Sequence, residues 1–166
     1  MTEKHTIIIK VSNHVGVLAK ISGKLAQRGY NIESTIAAPT EDPDIYKISV
    51  VVKEDQKGIQ QITKQLNKMV DTIKVTDISH KNNYVVREYL IIKVSVNNKN
   101  RSDVLELMDV FKAKALDIDS DYIMMELSGK ARKIDRAIKL FKSSSSGIDE
   151  YVRSGEFAMS ELIEQN

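Results

Sequence analysis

The chain contains no cysteine and no tryptophan, has only 2 prolines, and is only 5% aromatic over its 166 residues. Without cysteine there can be no disulfide framework, no thiolate metal site and no cysteine nucleophile, which suits a reducing cytosol. No apolar run approaches the roughly 20 residues that a membrane-spanning helix needs. The opening Met1-Thr2-Glu3-Lys4-His5 lacks the apolar core of a secretory signal. Charge of one sign is also missing: 25 basic residues against 23 acidic leave a formal +2. Such a balance supplies no global drive toward nucleic acid or anionic membranes. What is present is 42% hydrophobic content, enough to bury a core, so a soluble, cytoplasmic, mixed α/β chain is expected.

The most informative stretch runs from Lys10 to Ser34. It leaves an apolar run, turns between Asn13 and Gly16, continues with a 3.6-residue rhythm, stops at Gly29 and re-emerges extended at Asn31. That is strand, glycine turn, helix, strand. Gly16 stands where the turn becomes the helix, so a ligand can approach the backbone without meeting a Cβ, and the first-turn N–H groups face it. A helix start of this kind attracts a phosphate or a carboxylate. For phosphate the loop is poor in glycine, having one where a dinucleotide fingerprint has three and a Walker loop two plus Lys-Ser/Thr. The carboxylate of a small metabolite is the other candidate, and a purely structural role, with Asn13 capping the helix and Gly16 making the turn, is the third.

Along the chain, alternation predicts a strand over Thr6–Val11 with Ile7, Ile9 and Val11 on one face. A first helix buries Leu18, Ile21, Leu25 and Ala26. A second strand spans Asn31–Ala38, and Pro39 and Pro43 frame a turn outside the sheet. A third strand covers Ile45–Lys53. Asp55 caps a helix whose stripe is Ile59, Ile62, Leu66, Met69 and Val70, a fourth strand covers Thr72–Ile78, and Ser79 to Asn83 reads as a linker. The order then repeats: a strand around Glu88–Val96, a helix capped near Ser102 or Asp103 with Val104, Met108 and Phe111 inward, strands at Ala115–Ile118 and Tyr122–Leu127, a helix over Lys130–Lys142 with Ile134, Ala137, Ile138 and Phe141 inward, and a last strand near Ile148–Val152. The fold class is α+β, two tandem ferredoxin-like βαββαβ units. Boundaries fall at 1–79, a linker at 80–85, and 86–166. Units of about 80 residues are small, and their sheets have open edges and one bare face, so pairing into a symmetric dimer through the first unit is expected.

Asn13-x-x-Gly16-Val17-Leu18, Gln27 to Ser34, and Ala38 to Asp42 resemble the amino-terminal half of the small, regulatory subunits of acetolactate (acetohydroxyacid) synthase, an ACT domain. The resemblance continues through Gln61 to Val70, Val86-Arg87-Glu88, Ile91 to Val94 and Phe111 to Lys114, with departures at His14-Val15 and Thr35-Ile36. It implies a non-catalytic subunit that activates a large, thiamine-diphosphate-dependent synthase and mediates feedback inhibition by valine or another branched-chain amino acid. Thiamine diphosphate, Mg2+ and FAD would belong to that partner. The resemblance further implies a ligand site between two subunits, with Asn13, Gly16, Val17 and Leu18 of one copy meeting Asn31 and Ile32 of the other. Backbone N–H groups would then hold the α-carboxylate, and the asparagine amides the α-ammonium.

Other patterns imply less. His5, His14 and His80 are the only histidines and read as exposed residues of an arm, a turn and a linker, so no metal site is expected. Glu41, Asp42 and Asp44 beside two prolines read as a solvated turn. No catalytic set can be assigned. Arg132, Lys133, Arg136 and Lys139 form a basic face on the helix over 130–142, either solvated or a contact for an acidic protein. Through this face an amino-acid-sensing transcriptional regulator would bind DNA, the alternative reading, although nucleic acid is not expected from the composition. A ferredoxin-like acylphosphatase is a third, less supported possibility.

Overall fold

In the computed structural model, residues 2–81 and 83–160 are described. The chain divides into two units, one running through Val85 and resuming at Glu156, the other Val86–Gly155. In the first, β1 (Glu3–Ser12), α1 (Val17–Ala26), β2 (Ile32–Pro39), β3 (Ile45–Glu54), α2 (Gln56–Asn67) and β4 (Thr72–Asp77) follow the expected order. The sheet is antiparallel with strand order β2-β3-β1-β4, the ferredoxin-like arrangement. Alternation places Ile7, Ile9 and Val11 of β1 with Ile48, Val50 and Val52 of β3 on one face, closed by Ile21 and Leu25 of α1 and by Ile59, Ile62 and Leu66 of α2. Asp55 caps α2 as expected, accepting the Gly58 N–H at 2.8 Å.

The second unit repeats the plan with β5 (Tyr84–Ser95), α3 (Arg101–Phe111), β6 (Lys114–Ile118), β7 (Tyr122–Gly129), α4 (Ala131–Ser144) and β8 (Gly147–Arg153), in strand order β6-β7-β5-β8. Leu90, Ile92 and Val94 pack with Ile123 and Met125 under Val104, Met108, Ile134, Ala137 and Phe141. The Phe111 and Phe141 rings meet at 6.0 Å between centroids.

Several expectations are corrected. The buried stripe of α1 is Val17, Ile21, Leu25; Leu18 is 40% exposed and Ala26 is on the surface. Both apolar series fit helical spacing, and the point at which Gly16 releases the helix selects the first. Ile21→Ala is therefore expected to lower stability by about 2–5 kcal/mol, and Leu18→Ala by no more than about 0.5 kcal/mol. Urea unfolding of the two variants checks the assignment; equal losses would contradict it.

Val70 is fully exposed beyond the end of α2. Pro39 is the last residue of β2, a position open to proline because β2 is an edge strand. Asn100, not Ser102 or Asp103, precedes α3. The linker is shorter than 80–85, since Tyr84 and Val85 already belong to β5; its Asn82 lies outside the described residues, as do 161–166.

The carboxyl-terminal segment, expected within 86–166, extends the first unit: from Glu156 the chain joins it, and Phe157–Ser160 forms a strand, β9. Within the first unit Glu156 accepts from the Thr6 and Ser49 hydroxyls, and the Ala158 carbonyl accepts from the Lys47 ammonium. Thr6, Ile8, Ser49 and Val51 are consequently buried, so the sheet face opposite the helices, expected to be bare, is covered in part by the chain itself.

Candidate functional site

The turn between β1 and α1 is held from two sides. The Asn13 N–H donates to the Asp44 carbonyl at 2.7 Å, and its side-chain amide donates to the Pro43 carbonyl at 2.8 Å. Asp71, in the turn before β4, accepts from the Ser12 N–H through its carbonyl at 2.9 Å. Its carboxylate meets His14 Nε2 at 2.6 Å and Lys20 Nζ at 2.9 Å. The loop is thus held by side-chain and backbone hydrogen bonds on both sides.

At its end Gly16 takes φ +87°, a left-handed conformation that favours glycine, and an ideal Cβ built there meets nothing within 4 Å. No side chain caps α1, and its first turn contains no acidic residue. Asn13 is therefore not the cap that one reading of the sequence made it. The start of α1 keeps donors that have no intrahelical acceptor, at the positive end of the helix dipole. Lys20, whose ammonium is on Asp71, adds positive charge one turn on.

The predicted ligand residues divide into two groups. Asn13, Gly16, Val17 and Leu18 lie at the start of α1; Asn31 and Ile32 lie past its end, beyond the left-handed Gly29, at the head of β2. A helix of 10 residues is about 15 Å long. One chain therefore does not bring the two groups around one small molecule. Leu18 and Asn31 present exposed side chains, and Ile32 is half-buried against the core. Val17 departs from its expected role: the residue is 4% exposed, inside the core, and its N–H donates to the His14 carbonyl at 3.3 Å.

His14 gives the loop a pH dependence. The hydrogen bond it donates to Asp71 holds the imidazole above its usual 6.5, and the hydrogen bonds from Lys20 and then His14 hold the Asp71 carboxyl below its usual 3.8. The His14 contribution to stability is complete below the unfolded value of about 6.5 and is lost as pH rises through the raised folded value; the Asp71 contribution is present above about 3.8 and is lost as pH falls through the depressed one. His14→Ala should therefore be more destabilising at pH 5.5 than at pH 9, measured by urea unfolding at both. A loss independent of pH would contradict the pairing.

In the second unit the basic face expected on the fourth helix is real and concave. Arg132, Lys133 and Arg136 line an open cavity of about 600 Å3 together with Arg87, Lys130, Val110 and Phe111, whereas Lys139 is not part of it. The one acid in the run, Asp135, is paired with Arg153 at 2.7 Å. Arg153 also grips the buried Glu88 by two bonds, Nε to Oε1 at 2.6 Å and Nη2 to Oε2 at 2.8 Å. Nothing in the sequence distinguishes Glu88 from a surface carboxylate at a strand end.

The histidines differ most from expectation. His5 is not part of an exposed arm but 0% exposed within β1, and His80 stands beside it with ring centroids 5.7 Å apart. Among the described residues, no helix is long and apolar enough to cross a membrane.

Comparison with known proteins matches residues 7–74 to the acetohydroxyacid synthase (AHAS) small subunit-like ACT domain and residues 87–162 to the small subunit of acetolactate synthase. A probable acetolactate synthase small subunit of Archaeoglobus fulgidus is 38% identical over 156 residues, covering 94% of this chain and 96% of the relative. The acetolactate synthase small subunit of Bacillus subtilis is 36% identical over 163 residues, covering 98% and 93%. The crystal structure of the acetolactate synthase small subunit from Thermotoga maritima superposes with a TM-score of 0.85 at 30% identity, over 97% of this chain and 99% of that one. With both units matched and relatives aligned over nearly their full lengths, the chain belongs to the acetolactate synthase small-subunit family.

Proposed function

We propose that this chain is a cytoplasmic, non-catalytic regulatory subunit that activates the large, catalytic subunit of acetolactate synthase and mediates feedback inhibition by valine or another branched-chain amino acid. The single observation that carries the ligand reading is the start of α1: a pinned turn, a left-handed Gly16 and helix N–H groups with no side-chain cap. These groups suit an α-carboxylate. The Asn13 amide gives its N–H to Pro43, and its oxygen remains an acceptor to which an α-ammonium can donate. Leu18 and Ile32 supply apolar walls, which separate valine, leucine and isoleucine by only about 1–3 kcal/mol per methylene. Because Asn31 and Ile32 must come from a neighbour, the ligand sits between two first units of a homodimer.

In this reading thiamine diphosphate, Mg2+ and FAD belong to the catalytic partner, and the cationic cavity at the start of α4 meets an acidic surface on it. The same cavity is the observation that favours the alternative, a DNA-binding regulator, and a gel shift at moderate salt tests that alternative. The decisive experiment is co-purification with the large subunit, with acetolactate formation assayed with and without this chain and with L-valine against D-valine. Activation by the chain and inhibition by the L-enantiomer alone are expected. No association with the large subunit would overturn the regulatory reading.

A further inference from the structure

Glu3, His5 and His80 meet at the head of β1, around a buried ring nitrogen of His5 that no hydrogen bond satisfies. The Ser79 hydroxyl accepts the Thr6 N–H at 3.0 Å and donates its single hydrogen to the Asp77 carboxylate. Its 3.1 Å contact with His5 Nδ1 must then be donated by the ring. With Nδ1 carrying the hydrogen, neutral His5 has its lone pair on Nε2. That atom is buried without a hydrogen-bond partner and faces Oε1 of Glu3 at 3.6 Å. A lone pair opposite a carboxylate leaves the buried nitrogen unsatisfied, and a cation between the two is bound by both.

His80 supplies a third donor, with Nε2 3.2 Å from the same Glu3 oxygen and its ring nearly perpendicular to that of His5, at 82°. Ligand atoms of the three residues all lie within 4.8 Å of one another. Around a tetrahedral ion with bonds of about 2.0–2.1 Å, ligand atoms are separated by about 3.3–3.4 Å, a spacing that the two observed separations bracket. Behind His5, Ser79 and Asp77 form the second layer that usually orients a metal-bound imidazole.

We propose that Glu3, His5 and His80 bind one divalent first-row transition ion, of which Zn2+ is the probe, with water completing the coordination. Two imidazoles and one carboxylate suit such an ion far better than Mg2+ or Ca2+, which prefer an all-oxygen shell. The ion clips the first strand to the segment that follows β4, inside the first unit.

The test uses the full chain, stripped with a chelator and titrated with Zn2+ by calorimetry, with thermal unfolding followed in parallel. Expected are one ion per chain, a raised melting temperature with Zn2+ but not with Mg2+, and the visible absorption of a four-coordinate ion when Co2+ replaces zinc. Glu3→Gln and His80→Ala change side chains that are 55% and 62% exposed, so the fold survives, as circular dichroism will verify. Each should weaken binding at least tenfold, while His14→Ala, at the histidine outside the cluster, leaves it unchanged. No saturable binding at micromolar Zn2+, undiminished binding by the His80→Ala chain, or loss of binding in the His14→Ala chain would each overturn the site. None of these outcomes bears on the amino-acid site, which shares no residue with this cluster.

Discussion

Replacing Gly16 with aspartate should abolish the response to L-valine while the chain stays folded. An ideal Cβ at this position meets no atom within 4 Å, so the structural cost is the left-handed backbone alone, about 1–2 kcal/mol, and aspartate is among the residues that tolerate it best. The new carboxylate lies over the N–H groups proposed to hold the ligand carboxylate, so it both occupies them and repels the incoming anion. In the unsubstituted chain, valine at a hundred times its dissociation constant should stabilise the dimer by about 2.7 kcal/mol; with Gly16→Asp that gain should vanish, together with inhibition of the reconstituted synthase. Gly16→Ala separates strain from blockade, since it shares the backbone cost without a competing charge. A valine response that persists in the aspartate variant would show that this loop is not the contact.

The second large effect concerns stability. Glu88 faces the core of the second unit at 3% exposure, and Arg153 holds both of its oxygens. Arg153→Ala leaves that carboxylate buried without a cation, a change that costs about 3–5 kcal/mol. For a unit of this size that corresponds to a fall in melting temperature of more than about 12 °C. Asp135→Asn removes only the solvent-facing arm of the network, where the carboxylate is 62% exposed, and should cost at most about 1 kcal/mol. The double replacement Glu88→Leu with Arg153→Leu should recover most of the loss, because apolar side chains of similar bulk do not have to be desolvated as ions. Equal losses for Arg153→Ala and Asp135→Asn in urea unfolding would contradict the assignment.

What was legible in the sequence was whatever local periodicity and turn chemistry determine. Alternation in β1 and β3, the stripes of α2, α3 and α4, the Asp55 cap and the glycine turn at residue 16 all carry their meaning within a few neighbours, and they sufficed for two ferredoxin-like units and for the loop. The misreadings occurred where two local solutions were equally good or where the partner was remote. Val17-Ile21-Leu25 and Leu18-Ile21-Leu25 both satisfy helical spacing, and only the conformation of Gly16 separates them. Four residues of β9 are too few to show a period, and what they cover is the distant face of β1 and β3. His5 and His80 lie on either side of the whole first unit in sequence, and nothing in either neighbourhood announces the other. The glycine turn was readable, and so was the placing of Asn13 to Leu18 and of Asn31 and Ile32 at opposite ends of one helix; the burial of Val17 was not.

The covering of the first sheet by the segment after Glu156 has a consequence for biosynthesis. The strands Glu3–Ser12 and Ile45–Glu54 leave the ribosome well before the residues that shield their second face, because residues 55–155 must be translated in between. At 5–20 residues per second this delay is roughly 5–20 s. Throughout that interval the nascent chain shows Ile8 and Val51 to solvent, and any neighbouring nascent copy of the same message encounters that surface before the chain's own tail can reach it.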